Sequence, residues 1–262
     1  MNEIEQYQKT INEFIAQNKF SKFPQELYEP LDYIMALGGK RMRPVMVMMA
    51  CDLLNGKMED AVPAAMAIET FHNFTLIHDD IMDEAPLRRA KATVHEKWNT
   101  NIAILSGDVL FVKAYEQICK HPAHLIPSLL ALFNKTAIEV CEGQQMDMDF
   151  ETRNDVSAEE YIEMIRLKTS VLIGLSMEMG AILAEMDKPT SQAMYAIGEA
   201  IGLGFQLKDD LLDVYGDPEK FGKQVGGDIK SNKKTFLMIH ALETASGDQL
   251  EKLEKAIKEN PD

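Results

Sequence analysis

An all-α fold is predicted by three observations. Apolar residues recur at three- and four-residue spacing almost throughout, Ala, Met, Leu, Glu and Lys dominate, and no sustained apolar–polar alternation marks a strand. At 262 residues the chain exceeds the usual size of one domain, yet a helical bundle of that length encloses a single core or cavity. One domain over residues 1–262 is therefore expected, a single large helical bundle around a central cavity.

Helix breakers divide the pattern. The first helical region ends at Gly38-Gly39, and the next, which carries Met46, Met48 and Met49, ends at the turn dipeptide Asn55-Gly56. Those methionines are read as core filling, although thioethers also adapt to a lipid-like pocket. A third region bears Phe71 to Asp83 and stops in the polar Glu84 to Lys91 loop with Pro86. Further breaks fall at His121-Pro122, at Asn154 to Ala158, at Lys188-Pro189 and at Gly216-Asp217-Pro218. Ser157 reads as a helix cap, with Glu159 and Glu160 placed to oppose the positive end of the helix that follows.

Charge narrows the partners. A net charge of −15 and a pI near 4.9 argue against a nucleic-acid binder, which needs a basic face. The polar N-terminus is neither a signal nor a transit peptide, and the longest apolar run, Val45 to Leu54, is broken by Asp52 and too short to span a bilayer. A cytoplasmic protein that is not an integral membrane protein is expected. Cys51, Cys119 and Cys141 lack metal-ligand spacing and are read as buried structural thiols.

The chemistry is written in a duplicated motif. Asp79-Asp80-x-x-Asp83 returns as Asp209-Asp210-x-x-Asp213, each in helix-favouring surroundings. Residues three and four apart on a helix are neighbours at about 5–6 Å between Cβ atoms, so each copy aims two carboxylates at one spot. Like charges so placed destabilise a helix unless a cation relieves them. All-oxygen ligands in small number suit Mg2+, which keeps waters and takes further ligands from phosphate. One copy alone would pass for a solvated acidic face. Two copies of identical spacing point to helices on opposite walls of a cavity that holds a diphosphate through several magnesium ions.

Local basic islands supply the counterpart. Gly38-Gly39-Lys40-Arg41-Met42-Arg43-Pro44 sets three cations after a glycine pair at an expected helix start, and Arg88-Arg89 follows the first aspartate motif. Together with the two claws they point to two phosphate-bearing substrates, one metal-bound and one salt-bridged.

These motifs, in order, resemble those of the trans-isoprenyl diphosphate synthases, the farnesyl and geranylgeranyl diphosphate synthase family. The resemblance runs from Gly38 to Lys234 and takes in Gly107-Asp108, Gly143-Gln144-x-x-Asp147 and Lys168-Thr169. Phe205-Gln206 before the second claw, Gly222-Lys223, Asp228-Ile229 and Lys233-Lys234-Thr235 complete it. It implies an isoprenoid synthase fold, a homodimer, and condensation of isopentenyl diphosphate with dimethylallyl, geranyl or farnesyl diphosphate. By the same matching, three Mg2+ ions bind between Asp79, Asp83 and Asp209, with Asp80, Asp210 and Asp213 as further ligands or as orienting groups. Arg88, Lys168 and Lys223 would touch the allylic diphosphate. Lys40, Arg43, His72 and Arg89 would hold isopentenyl diphosphate, with Lys233 also among the substrate-binding residues. Thr169 and Gln206 would stand near the allylic cation, and the released diphosphate would take the proton. Gln144 and Asp147 are read as groups orienting Arg88 or Lys168.

Product length is read from the residues before the first motif. Phe74 lies five residues before Asp79, roughly 7.5 Å along a helix, and Phe71 about one turn deeper. In the family, an aromatic residue at the fifth place alone goes with twenty carbons and a pair at the fifth and fourth with fifteen. Phe74-Thr75 therefore favours twenty over fifteen. The chain departs from the family pattern at Ala90, where glycine is common, at Lys208, where a smaller or polar residue is usual, and in ending at Asp262, where relatives continue through further helices. The domain is then expected to lack C-terminal helices, by truncation or because the member is short. A terpene cyclase would lack the second aspartate motif and Lys40 with Arg43. A silent partner subunit would lose one motif or the basic pairs.

Overall fold

The computed structural model describes residues 2–20, 22–216 and 233–259. The break expected at Asp217-Pro218 and the motif residues Gly222, Lys223 and Asp228-Ile229 lie outside the described residues. Apart from one two-stranded hairpin, the described residues in regular structure are helical. They divide into two compact units, Met1–Phe133 with Leu175–Tyr195, and Asn134–Gly174 with Ala196–Asp262.

In the first unit, α1 (Glu3–Gln17) begins with a capping box in which Asn2 and Glu5 satisfy each other's backbone N–H. Its Tyr7 hydroxyl donates to Asp52 of α3 (Met42–Leu53). A break between α1 and α2 (Gln25–Ala36) divides the first expected helical region. The organising element is α4 (Met58–Met82), which packs along both α3 and α6 (Thr100–Ile118). Ala61, Ala64, Ala65 and Ala67 are fully buried on it, and small side chains on several faces let neighbouring helices approach. Leu31, Ile34, Met66, Ile77, Ala103 and Leu110 form the core around it, each large side chain contributing about 2 kcal/mol by burial.

The loop after α4 is more ordered than its composition predicts. It folds into an antiparallel hairpin, β1 (Leu87–Arg88) with β2 (Lys91–Ala92), followed by the single-turn α5 (Val94–Lys97). Its two turn residues, Arg89 at φ 51° and Ala90 at φ 60°, are both left-handed, as the favoured two-residue hairpin turn requires. The usual Asn-Gly signal is missing, so nothing local announces the hairpin. Thr93 clamps its base by donating its hydroxyl to the Ala85 carbonyl at 2.8 Å.

Helix α7 (Ile126–Thr152) and α10 (Lys188–Tyr215) contribute to both units, as does α9 (Val171–Leu183). In the second unit α8 (Ala158–Ile165) starts as expected, with Ser157 and Glu160 forming a capping box. It runs into a π-helical turn, Arg166–Ser170, before α9. Helix α11 (Phe236–Thr244) packs on α8, and α12 (Asp248–Glu259) follows. Phe150, Val156, Tyr161, Met164, Ile165 and Ile239 are the core of this unit.

Two expectations are corrected. Lys188-Pro189 opens α10 rather than lying in a break, because proline is tolerated in a helix's first turn. Of the three cysteines Cys51 alone is buried; Cys119, which caps the end of α6, and Cys141 are exposed, because each stands on a solvent-facing side of its helix. No helix among the described residues is long and apolar enough to cross a membrane.

Candidate active site

Both aspartate motifs occupy helix C-terminal ends. Asp79 and Asp80 lie in the last turn of α4 and Asp83 caps it, its N–H bonded to the Asp79 carbonyl at 2.8 Å. Asp209, Asp210 and Asp213 lie in the last two turns of α10. A helix dipole disfavours anions there by about 0.3–1 kcal/mol each, the reverse of what stability would select.

In each motif the middle carboxylate is buried and held by other side chains. Asp80, 1% exposed, accepts from Arg88 at both oxygens, from Nε at 3.0 and 2.8 Å and from Nη2 at 2.7 Å. Asp210, 3% exposed, accepts from the Tyr161 hydroxyl at 2.5 Å and from Gln206 Nε2 at 3.1 Å. Burial pushes the Asp210 carboxyl up, against the pull of those two donors and with Asp209 and Asp213 adding to the rise. The first and third positions, Asp79 with Asp83 and Asp209 with Asp213, stand at i, i+4 spacing on one face of each helix.

Among the described residues no spot gathers three His, Cys, Asp or Glu side chains that could hold a metal. Two-carboxylate, all-oxygen claws nonetheless fit Mg2+, which binds through one or two carboxylates and completes its shell with water and phosphate. Cations at the ends of α4 and α10 would also relieve the unfavourable dipole.

A second cluster in the first unit gathers the predicted isopentenyl side. Gly38 (φ 77°) and Gly39 (φ 122°) carry the chain from α2 to α3, and a side chain on Gly39 would collide with the Arg89 guanidinium, whose Nη1 donates to the Gly38 carbonyl. Lys40 is exposed. Arg43 Nη1 lies 3.3 Å from His72 Nε2, and the buried Arg43 Nε has no partner among the described residues, so it has a donor to offer an anion. Burial, and then Arg43, Arg89, Arg88 and Arg41, hold His72 well below the ordinary histidine range, so it is neutral and accepts from Arg43.

The residues that support this cluster carry little signal in the sequence. Arg41, in the left-handed region at φ 49°, turns its guanidinium inward to pair with Glu69, donating also to the Met35 carbonyl at 2.6 Å and to Asn12 at 3.2 Å. Asn73 donates to the Glu69 carboxylate at 3.1 Å. The available signal was a glutamate in the otherwise apolar run before His72.

The predicted floor residues also meet partners from other helices. Phe74 stacks on Phe111 of α6 with centroids 5.0 Å apart and planes 15° apart, while the buried Phe71 meets Phe111 at 5.6 Å and Phe133 at 5.1 Å. Tyr115 closes the cluster against Phe111 and Phe133 at 5.3 and 5.1 Å. Thr75 folds its hydroxyl onto the His72 carbonyl at 2.8 Å.

In the second unit a cavity of about 200 Å³ is lined by Asp147, Tyr161, Lys168, Thr169, Gln206, Asp210 and Lys233, among others. The π-helical turn delivers Lys168 and Thr169 to it, and such turns are frequent at functional sites. Gly143 on α7 makes room for that turn, since a Cβ there would strike the Lys168 backbone nitrogen. Lys168 Nζ pairs with Asp147 at 2.5 Å, and Thr169 donates to Gln206 Oε1 at 3.4 Å. Tyr161, absent from the sequence reading, is buried here; its signal was only a tyrosine in an amphipathic helix.

A polyprenyl synthetase family model matches residues 24–262. The chain is 43% identical over 223 residues to a geranylgeranyl diphosphate synthase of Methanosarcina mazei, covering 84% of this chain and 68% of that protein. It is 42% identical over 232 residues to a short chain isoprenyl diphosphate synthase of Methanocaldococcus jannaschii, covering 87% and 70%. A crystal structure of geranylgeranyl pyrophosphate synthase superposes with a TM-score of 0.95 at 46% identity, over 100% of this chain and 80% of that one.

Proposed function

The chain belongs to the polyprenyl synthetase family, and from that premise we propose that it is a prenyltransferase joining isopentenyl diphosphate head to tail to an allylic diphosphate. Dimethylallyl, geranyl and farnesyl diphosphates are the allylic substrates, and an all-trans product of fifteen to twenty carbons results, twenty favoured. The length is supported by Phe74 standing without a second aromatic at Thr75 and by relatives named for geranylgeranyl diphosphate.

The observation that carries this reading is the repeated claw whose middle carboxylate is taken by a neighbour, Asp80 by Arg88 and Asp210 by Tyr161 and Gln206. Asp79, Asp83 and Asp209, with Asp213, are the residues assigned to Mg2+, three ions in all. Bound magnesium supplies Lewis acidity toward the leaving diphosphate. The chain's own side chains do the rest. Lys168 and Lys223 are assigned to the allylic diphosphate together with Arg88, which also fixes Asp80. Thr169 and Gln206 present oxygen atoms to the allylic cation as the C–O bond breaks. Arg43, Lys40, Arg89 and His72 are assigned to isopentenyl diphosphate, and Lys233 to substrate diphosphate. A neutral His72 donates or accepts a hydrogen bond without adding charge. We read the chain as one catalytic domain acting in the cytoplasm as a homodimer, with α7, α9 and α10 shared by both units in support of the single domain.

Substitution of the claws tests this assignment. Asp79→Ala or Asp209→Ala is expected to lose most turnover in saturating Mg2+ while the helical circular dichroism is kept. Near-wild-type turnover in either variant contradicts the claw as the metal site.

A further inference from the structure

We propose that Tyr161 is a positioning residue that fixes which end of the Gln206 amide faces the allylic cation, and that it acts through Asp210. This role rests on the prenyl-transfer reading and extends it to a residue with no assigned part in the reaction step.

The two ends of a glutamine amide are chemically opposite, an oxygen that accepts and an NH2 that donates. Beside a developing carbocation the oxygen stabilises and the NH2 repels, so the orientation of Gln206 decides the sign of its effect. Three hydrogen bonds fix it. Tyr161 donates its hydroxyl to Asp210 Oδ2 at 2.5 Å, which commits that oxygen. The other oxygen, Oδ1, takes the Gln206 NH2 at 3.1 Å. With its nitrogen so drawn, Gln206 turns Oε1 to Thr169, whose hydroxyl donates to it at 3.4 Å. Gln206 and Thr169 thus bring their oxygens to a cavity that Tyr161 and Asp210 also line.

Burial makes the tyrosine hydroxyl conspicuous. Tyr161 is 4% exposed and packs with Phe150, Met164, Ile165 and Ile239, where a phenylalanine would fill the same space. Its oxygen is the one side-chain atom that calls for a polar partner, and it donates to Asp210. Without that bond Oδ2 is left unpaired in a buried site, the carboxylate is free to rotate toward another donor, and Gln206 loses the fixed acceptor that holds its nitrogen.

Tyr161→Phe in the full chain, assayed for elongation of geranyl diphosphate, tests this. The expected result is a kcat lower by about tenfold, the worth of one hydrogen bond to a charged group, with KM for both substrates within about twofold. Gln206→Leu, which removes the amide, should cost at least as much, and adding Tyr161→Phe to it should cost little more. A merely structural tyrosine predicts a lower melting temperature, an unchanged kcat and additive effects, and that result overturns the proposal. Wild-type-like kcat in Gln206→Leu overturns it too, whatever becomes of Tyr161→Phe. Absence of elongation by the wild-type chain would remove the prenyl-transfer reading itself, whereas wild-type elongation with an unaffected Tyr161→Phe removes only this inference.

Discussion

Arg88 grips Asp80 from the β-hairpin, its Nε and Nη2 together making three hydrogen bonds to both oxygens of a carboxylate whose side chain is 2% exposed. The pair ties the first aspartate motif to the hairpin. Arg88→Ala leaves the Asp80 charge buried and alone, and breaking such a pair costs about 3 kcal/mol of folding stability. Arg89→Ala, at an exposed residue, should cost under about 1 kcal/mol. Denaturant midpoints of both variants check the contrast, and equal losses would show that Asp80 does not depend on Arg88.

Ala90 sits at φ 60°, a left-handed position that disfavours any side chain with a Cβ. Glycine there relieves the strain, which gives the departure from the family a physical meaning. Ala90→Gly is expected to stabilise the fold by up to about 1 kcal/mol without changing kcat, the relief exceeding the extra freedom that glycine gives the unfolded chain. A lower melting temperature would contradict the hairpin geometry.

His72 is expected to make stability depend on pH. Burial and four arginines keep its folded-state pKa well below that of the unfolded chain, which is about 6.5. Below about pH 6.5 the unfolded state therefore binds a proton that the folded state refuses, and stability falls as pH drops through that value. Arg43, Arg89, Arg88 and Arg41 oppose its charging, with Glu69 partly compensating Arg43. His72→Gln keeps an acceptor for Arg43 and removes the titration. Between about pH 7 and 5.5 wild type should lose about 1 kcal/mol more than the variant, by urea unfolding, and parallel curves would mean His72 titrates normally.

The helices and the i, i+4 placement of the aspartates were legible in the sequence because each rests on local information. Period, capping at Ser157 and the i, i+4 spacing of aspartates are set within a few residues. What escaped depends on residues far apart in the chain. Tyr161 meets Asp210 across 49 positions, Arg41 meets Glu69 across 28, and the Phe111 ring meets Phe74 from another helix. The π-helical turn at Lys168 was hidden for a similar reason, since the packing of Gly143 on it is invisible in local pattern.

Phe74 and Phe111 stack on one another, so as the proposed floor of the product channel they would act as one stop rather than two independent ones. Phe74→Ala should lengthen the product by about one isoprene unit, roughly the depth that one helical turn adds. Phe111→Ala should lengthen it as well, although Phe111 lies on α6 and outside both aspartate motifs. Mass spectrometry of the products checks both, and an unchanged length in Phe111→Ala would leave Phe74 as a stop by itself.

Prenyl transfer at the two claws is tested most directly by incubating the purified chain with isopentenyl diphosphate and, in turn, dimethylallyl, geranyl and farnesyl diphosphates, with Mg2+ or with EDTA, the products read by mass spectrometry. The expected result is elongation of all three that stops at twenty carbons and disappears in EDTA. Cyclised hydrocarbon without elongation, or elongation undiminished in EDTA, would contradict it.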